Sequence, residues 1–186
     1  MTTRLPLIIA AICTVLALIL QGLAVTMPGW VARKSNPSSN MQGLFYRCAG
    51  ITKCFKLEIT KNHAVGMYIT MWLTQCIGIL LLIASTVAII MAVRSKTKRL
   101  RMRKIFIYLN ILAGLIILMG LISFMNVTDV MSRIIKSGNK DPNIQYYYSF
   151  GCAVTAFILS WISVAAAIMY KDIFQEPPLQ VQHGIT

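Results

Sequence analysis

The chain has few side chains that could perform chemistry. Its five acidic residues and two histidines are scattered along 186 residues, and they form no cluster with the spacing of metal ligands or of a general acid/base pair. We therefore expect no enzyme, no metal site and no cofactor. The reactive groups at an informative spacing are Cys48 and Cys54, which lie in a polar segment. The other cysteines lie in apolar runs: Cys13, Cys76 and Cys152.

The segment around Cys48 and Cys54 has the pattern of a β-hairpin. Residues 42–48 and 53–59 are predicted to form strands, and Ala49-Gly50 begins a turn between them. A hairpin can place the two thiols opposite each other at disulfide distance, and closing so small a loop stabilises the fold by about 2 kcal/mol. Such a bond requires an oxidising compartment. Two free thiols are the alternative.

The composition indicates what kind of element must carry this hairpin. Hydrophobic residues make up 57% of the chain and charged residues 12%, against about 25% charged residues in soluble domains. With a mean hydropathy of +0.70, this excludes a soluble enzyme and a disordered chain. Four runs without Asp, Glu, Lys or Arg are long enough to cross a bilayer as helices: 5–26, 66–93, 105–125 and 150–170. We predict one tetraspan domain over residues 1–186.

Four spans place both termini on one side of the membrane. Segments 27–65 and 126–149 then lie on the opposite side from segment 94–104 and the tail 171–186. Total cation counts are equal on the two sides, but the density in segment 94–104 is the strongest local bias and predicts a cytoplasmic location. The cations of this basic loop are Arg94, Lys96, Lys98, Arg99, Arg101, Arg103 and Lys104.

The basic loop has two interpretations. It is foremost a topology signal, and it is also able to hold anionic lipid. Nucleic-acid binding is excluded at this location. Within the spans, Gln21, Gln75 and Asn110 are predicted to form interhelical hydrogen bonds rather than a transport path. Small residues that permit close helix packing include Gly78, Ala113, Gly114, Gly120 and Gly151.

The segment after the first span carries a recognisable motif. Trp30 is expected at the membrane interface, and Gly43, Leu44 and Phe45 precede the two cysteines. A Trp, then Gly-Leu-aromatic, then two nearby Cys in the first outer loop of a four-span protein resembles the claudin family and its relatives. The LAGL run at 112–115 and the YSFG run at 148–151 agree with it.

The resemblance implies a fold: a left-handed four-helix bundle in the membrane, all-α, capped outside by a small antiparallel β-sheet. Most strands would come from 27–65 and one from near 146–148. Some features depart from the family pattern. Phe45 stands where claudins usually have Trp, and the cysteine spacing is short. The C-terminus Gly184-Ile185-Thr186 is not the hydrophobic-ended PDZ ligand typical of claudins. The chain is therefore expected to be a divergent, short member.

The resemblance also implies a function. Claudins are cell-junction proteins of the plasma membrane that assemble with themselves or related chains, within one membrane and across to another, as paracellular barriers or pores. One alternative is a membrane-organising tetraspan similar to peripheral myelin protein. Another is an auxiliary ion-channel subunit similar to calcium-channel gamma subunits.

Four further residues receive roles. In claudins, charges near the second Cys face the paracellular path, which assigns Lys53 and Lys56 as pore charges that favour anions. Ile134 and Ile135 are apolar residues in a polar outer segment. They either contact a neighbouring molecule or end an extended third helix. The sequon at Asn126 lies beside the end of a span and is expected to be unmodified.

Overall fold

A computed structural model of the chain describes residues 5–27, 29–35, 38–43, 46–49, 53–56, 65–95, 99–136 and 144–172. These residues form four helices and five strands. The helices are α1 (Leu5–Thr26), α2 (Val65–Arg94), α3 (Arg99–Lys136) and α4 (Tyr148–Asp172). The strands are β1 (Val31–Ser35), β2 (Ser38–Gln42), β3 (Tyr46–Ala49), β4 (Lys53–Lys56) and β5 (Ile144–Tyr146). All four helices are long and apolar enough to cross a membrane, as predicted.

The helices pack in a closed ring. Helix α1 lies against α2 and α4, and α3 lies against the same two helices from the other side. Two apolar clusters fill the ring. The cluster near the strands includes Ala24, Met71, Ile117, Phe124 and Ala153, and the cluster at the other end includes Leu7, Ala10, Ile89, Phe106 and Ala167. The outward faces are also apolar, as lipid requires.

Polar side chains join the helices within the ring, which confirms the prediction for Gln21, Gln75 and Asn110. Lipid gives no hydrophobic drive for helix association, so buried hydrogen bonds and close packing hold the bundle, each bond contributing about 0.6 kcal/mol on average. A bond crosses every helix interface: Gln21 to Gln75, Gln75 to the Ile117 carbonyl at 3.5 Å, Asn110 to the Ser160 carbonyl at 3.1 Å, and Thr14 to Ser163 at 2.6 Å.

Glycines permit two close approaches between α2 and α3. A Cβ on Gly78 would lie 2.8 Å from a side-chain carbon of Ile117, and a Cβ on Gly120 would lie 2.7 Å from the Thr74 hydroxyl oxygen. Both positions therefore exclude a larger residue, as the small-residue pattern predicts. Gly151 is different, because a Cβ there would meet nothing within 4 Å. Its size is not used for packing.

Helix α3 is much longer than the apolar run 105–125 from which it was predicted. It begins at Arg99 and ends at Lys136, shortly before Gly138. Residues 99–104 are therefore helical, where the sequence had indicated a loop. At the other end, the sequon residue Asn126 lies inside the helix, and the Thr128 hydroxyl donates to the Phe124 carbonyl at 2.9 Å. The thickness of the membrane sets the length of an apolar run, whereas the helix that contains the run can continue beyond the membrane at both ends.

One cation of the basic loop is not on the surface. Arg103 is 4% exposed. It belongs to the inward stripe of α3, which continues through Phe106, Asn110, Ala113 and Ile117 at spacings of three and four residues. The sequence had grouped Arg103 with the other cations of the basic loop, and its burial separates it from the exposed ones. Lys96 and Lys98 of that segment lie outside the described residues.

The strands form one antiparallel sheet in the order β4-β3-β2-β1-β5. Strand β5 directly precedes α4 and pairs with β1, so the sheet joins the segments that follow α1 and α3. The predicted strand 42–48 takes in the last residue of β2 and most of β3, with Gly43 outside both strands. The predicted strand 53–59 is confirmed over Lys53–Lys56, and residues 57–59 lie outside the described residues. Strands β1 and β2 are polar, with sequences VARKS and SSNMQ, and lack the apolar alternation by which strands are recognised.

Candidate functional site

The candidate site is the sheet together with its attachment to the helices, and Trp30 lies at the attachment. The backbone acceptor at Ala24 would normally receive a bond from the N–H four residues later, but that residue is Pro28, which has no N–H. The Trp30 indole N–H donates to the Ala24 carbonyl instead, at 2.6 Å. The side chain is fully buried. The indole is therefore enclosed by protein, and the interfacial depth expected for this tryptophan stays a prediction.

Aromatic rings surround Trp30 and link it to three other elements. Its ring lies edge-on to Phe124 of α3, with centroids 4.8 Å apart, and 6.1 Å from Phe150 of α4. Tyr146 of β5 stacks on Phe150 at 4.6 Å. Such pairs contribute about 0.5–1.5 kcal/mol each beyond burial of their area. The β1–β5 edge of the sheet is thereby packed against Phe124 of α3 and against the first turn of α4.

Backbone hydrogen bonds continue the β1–β5 pairing down to the helices. The Tyr147 N–H donates to the Trp30 carbonyl at 3.1 Å, and the Ser149 N–H donates to the Gly29 carbonyl at 2.9 Å. The Gly29 N–H in turn donates to the Ser149 hydroxyl at 3.2 Å. The Tyr148 ring covers Gly29 so closely that any Cβ would overlap it. The starts of β1 and α4 are therefore held as one unit.

The cysteine pair lies at the edge of the sheet opposite β5. Strands β3 and β4 are antiparallel, and their register places Cys48 opposite Cys54. Opposed residues in such a pair have Cα atoms about 4.5–5.5 Å apart, which is within the range that a disulfide spans. The backbone register therefore suits the predicted bond.

The family model of claudin-like tight junction proteins matches residues 1–176. The chain belongs to the claudin-like tight junction protein family. No curated protein matches the chain. Membership and the four apolar helices make this claudin-like chain a multi-pass membrane protein of a structural family rather than an enzymatic one. No cluster of three or more His, Cys, Asp or Glu occurs among the described residues.

The remaining motif and site residues of this claudin-like protein fall at separate places. Gly43 is buried between β2 and β3, while Leu44 and Phe45 lie outside the described residues. Lys53 and Lys56 occupy the two ends of β4, an edge strand of the sheet. Ile134 and Ile135 lie in the last turn of α3, where the sequence had left open an extended helix. The two lysines therefore belong to the sheet and the two isoleucines to a helix, so these two pairs lie in different elements.

The attachment of the claudin-like sheet to its bundle was not predicted from the sequence. Ser149 and Gly29 were not considered, and Trp30 was given an interfacial role. One signal could have indicated the anchor: Pro28 follows the end of α1 and removes a donor that the Ala24 carbonyl needs, and a side-chain donor comes two residues later. The aromatic partners Phe124 and Phe150 are distant in sequence and gave no comparable signal.

Proposed function

We propose that this chain is a cell-junction protein of the plasma membrane that assembles with copies of itself or related chains and holds the sheet outside the cell, as a paracellular barrier or pore. The observation that supports this best is the five-stranded sheet of this claudin-like chain, which is built from the α1–α2 and α3–α4 connections. Trp30 fixes this sheet to the four-helix bundle. A rigid sheet beyond the bilayer offers a surface for contacts between molecules.

The proposed topology has cytoplasmic termini. The α2–α3 connection is at the opposite end of the bundle from the sheet, and segment 94–104 carries seven cations without an acid. A C-terminal epitope tag should stain only after cells are permeabilised, while a tag in the segment between α3 and β5 should stain on intact cells. Staining of the C-terminal tag on intact cells would refute this orientation.

Assembly is tested by expressing the chain in cells that lack junction strands. We expect continuous strands at cell contacts in freeze-fracture images. Surface protein that is evenly spread and forms no strands would instead support the membrane-organising alternative. Stable recovery with an ion-channel complex, again without strands, would support the auxiliary-subunit alternative.

Ile134 and Ile135 are the proposed contact residues. Helix α3 has 38 residues, about 57 Å at 1.5 Å per residue, and exceeds the ~30 Å hydrocarbon core, so one or both of its ends lie beyond the bilayer. Replacing both isoleucines with Asp should abolish enrichment at contacts while surface expression persists. The matched control, Ser132→Asp with Ser137→Asp, adds two charges nearby and keeps both isoleucines. Equal loss in both variants would contradict an apolar contact.

The basic residues of β4 give the proposed pore an anion preference. A fixed charge 5 Å from an ion changes its energy by about 0.8 kcal/mol at the dielectric constant of water, which is roughly a fourfold preference. Screening over ~8 Å weakens more distant charges. We expect dilution potentials across expressing monolayers to show chloride preference, reduced by Lys53→Glu and by Lys56→Glu. The control is Lys34→Glu in β1. Sodium preference in the unmodified protein would exclude the assignment.

A further inference from the structure

The first turns of α3 carry a concentrated positive charge at the edge of the membrane span. Arg99, Arg101 and Lys104 follow one another in the helix, and the apolar run begins directly afterwards at Ile105. The whole segment 94–104 contains no acidic residue. These cations therefore lie where the headgroups of a bilayer would be. Arg103 points into the bundle and is set apart from the exposed cations by its burial.

One face of this helix end combines charge with unusual apolar exposure. Leu100, Lys104 and Tyr108 are spaced four residues apart, so they share a face of α3. Tyr108 is 73% exposed and Leu100 67%, the two highest values for large apolar side chains among the described residues. Lys104 and its neighbour Arg101, three residues earlier, are exposed as well. Since the inward stripe of α3 faces the bundle, this face is directed at lipid.

The chemistry of these groups matches one kind of ligand. Guanidinium and ammonium groups bind phosphate through charge-assisted hydrogen bonds, and long basic side chains at a membrane edge extend toward the headgroups. Tyr108 lies one turn deeper than Lys104, a rise of about 6 Å, and its phenol offers a hydroxyl donor. Leu112 continues the same four-residue spacing into the span and is also exposed. A phosphate with attached acyl chains satisfies both the charges and the apolar surface.

We propose that Arg101, Lys104 and Tyr108 on the outer face of α3 bind the headgroup of an anionic phospholipid. The choice of leaflet rests on the proposed topology, which places this end at the cytoplasmic leaflet, where anionic lipids are concentrated. Binding to the lipid itself does not depend on that topology. It also does not depend on junction formation.

The test uses the full chain purified into nanodiscs that contain a mixture of phosphatidylserine and phosphatidylcholine. Native mass spectrometry of the released protein gives the ratio of the two lipids that remain bound. We expect enrichment of phosphatidylserine. A direct hydrogen bond to a charged group contributes roughly tenfold or more in binding, against about fivefold for a cation that only lies near a membrane surface. Arg101→Gln with Lys104→Gln should therefore reduce the enrichment about 100-fold. Tyr108→Phe should reduce it about tenfold.

Three controls separate a defined site from diffuse attraction. Arg94→Gln removes an exposed charge at the same end of the bundle but on α2, and it should reduce the enrichment about fivefold at most, the effect of diffuse attraction alone. Lys104→Arg should retain enrichment, and circular dichroism should show intact helices in every variant because the substituted side chains are exposed. Excess inorganic phosphate should not displace the lipid.

The proposal is overturned by any of three results. The unmodified chain shows no enrichment of phosphatidylserine, Arg94→Gln reduces the enrichment about tenfold or more, or free phosphate displaces the lipid. All three readouts are obtained with isolated protein. Failure here therefore leaves the proposed junctional role untouched, and absence of strands in cells leaves lipid binding untouched.

Discussion

Replacing Trp30 with Phe would remove the indole N–H while keeping an aromatic ring in the pocket. The ring can still contact Phe124 and Phe150, but the Ala24 carbonyl loses its donor at 2.6 Å. Pro28 cannot supply a replacement, since it has no N–H. Water is the remaining partner, and the pocket is closed, because Trp30 itself has no exposed surface. The substitution therefore isolates one hydrogen bond at the attachment of the sheet.

The expected loss of stability follows from these contacts. A buried acceptor left without a partner costs about 1–3 kcal/mol, and the smaller ring removes part of the packing. We expect the free energy of unfolding to fall by about 2 kcal/mol or more. For a chain of this length, 1 kcal/mol corresponds to roughly 2–4 °C in Tm, so Trp30→Phe should lower Tm by about 4–8 °C or more. Trp30→Ala should be worse, at about 3–5 kcal/mol.

A thiol-reactive dye suits the measurement. Cys13, Cys76 and Cys152 are free and half-buried in three of the helices, so they react faster as the bundle opens on heating. Trp161→Phe is the matched control, because it makes the same exchange at an exposed position on α4. Equal Tm values for the two variants would refute the reasoning, since the indole N–H at Trp30 would then contribute no more than one at the surface.

Three further predictions concern the bundle and the sheet. A double-mutant cycle with Gln21→Leu and Gln75→Leu should give a coupling free energy of about 0.6–1.7 kcal/mol in thermal unfolding, and additive single effects would contradict a direct bond. Gly78→Ala should cost about 1–3 kcal/mol by overpacking against Ile117, and the double variant with Ile117→Ala should be less destabilised than the sum of the two single changes. Cys48→Ser should lower stability by about 2 kcal/mol and expose a thiol at Cys54 to labelling on intact cells, whereas labelling of both cysteines in the unmodified protein would exclude the disulfide.

The sequence predicted the parts of the fold that lipid dictates. A backbone in hydrocarbon must satisfy its own hydrogen bonds, so each long apolar run had to be a helix, and Gln21, Gln75 and Asn110 had to find partners inside the bundle. The same reasoning stopped where the apolar run of α3 ended, at Lys104 on one side and at Asn126 on the other, because it detected spans rather than helices. It therefore missed the extension 99–104, whose Arg, Leu, Met and Lys residues are good helix formers, and it left the extension toward Ile134 and Ile135 open.

Other features depended on tertiary contacts that no local pattern expresses. Strands β1 and β2 are polar and are stabilised by pairing with neighbours, so their sequences contain no alternation to read. The burial of Arg103 could have been predicted, because Phe106 and Asn110 continue its stripe at helical spacing. Its charge instead placed it in one group with the other cations of the basic loop. The anchor at Trp30 joins residues more than a hundred positions apart, and only the folded chain shows that arrangement.

Because α3 is long, a small change in its tilt displaces both of its ends by several ångströms. Its basic end and its Ile134–Ile135 end belong to one continuous rod of 38 residues. A tilt of about 10° around the middle of such a rod displaces each tip by roughly 5 Å. Helices tilt to match the thickness of the surrounding bilayer, so a thicker or thinner membrane shifts the two isoleucines, together with the sheet, relative to the membrane plane. In the proposed assembly, local bilayer thickness would thereby adjust how one molecule meets the next.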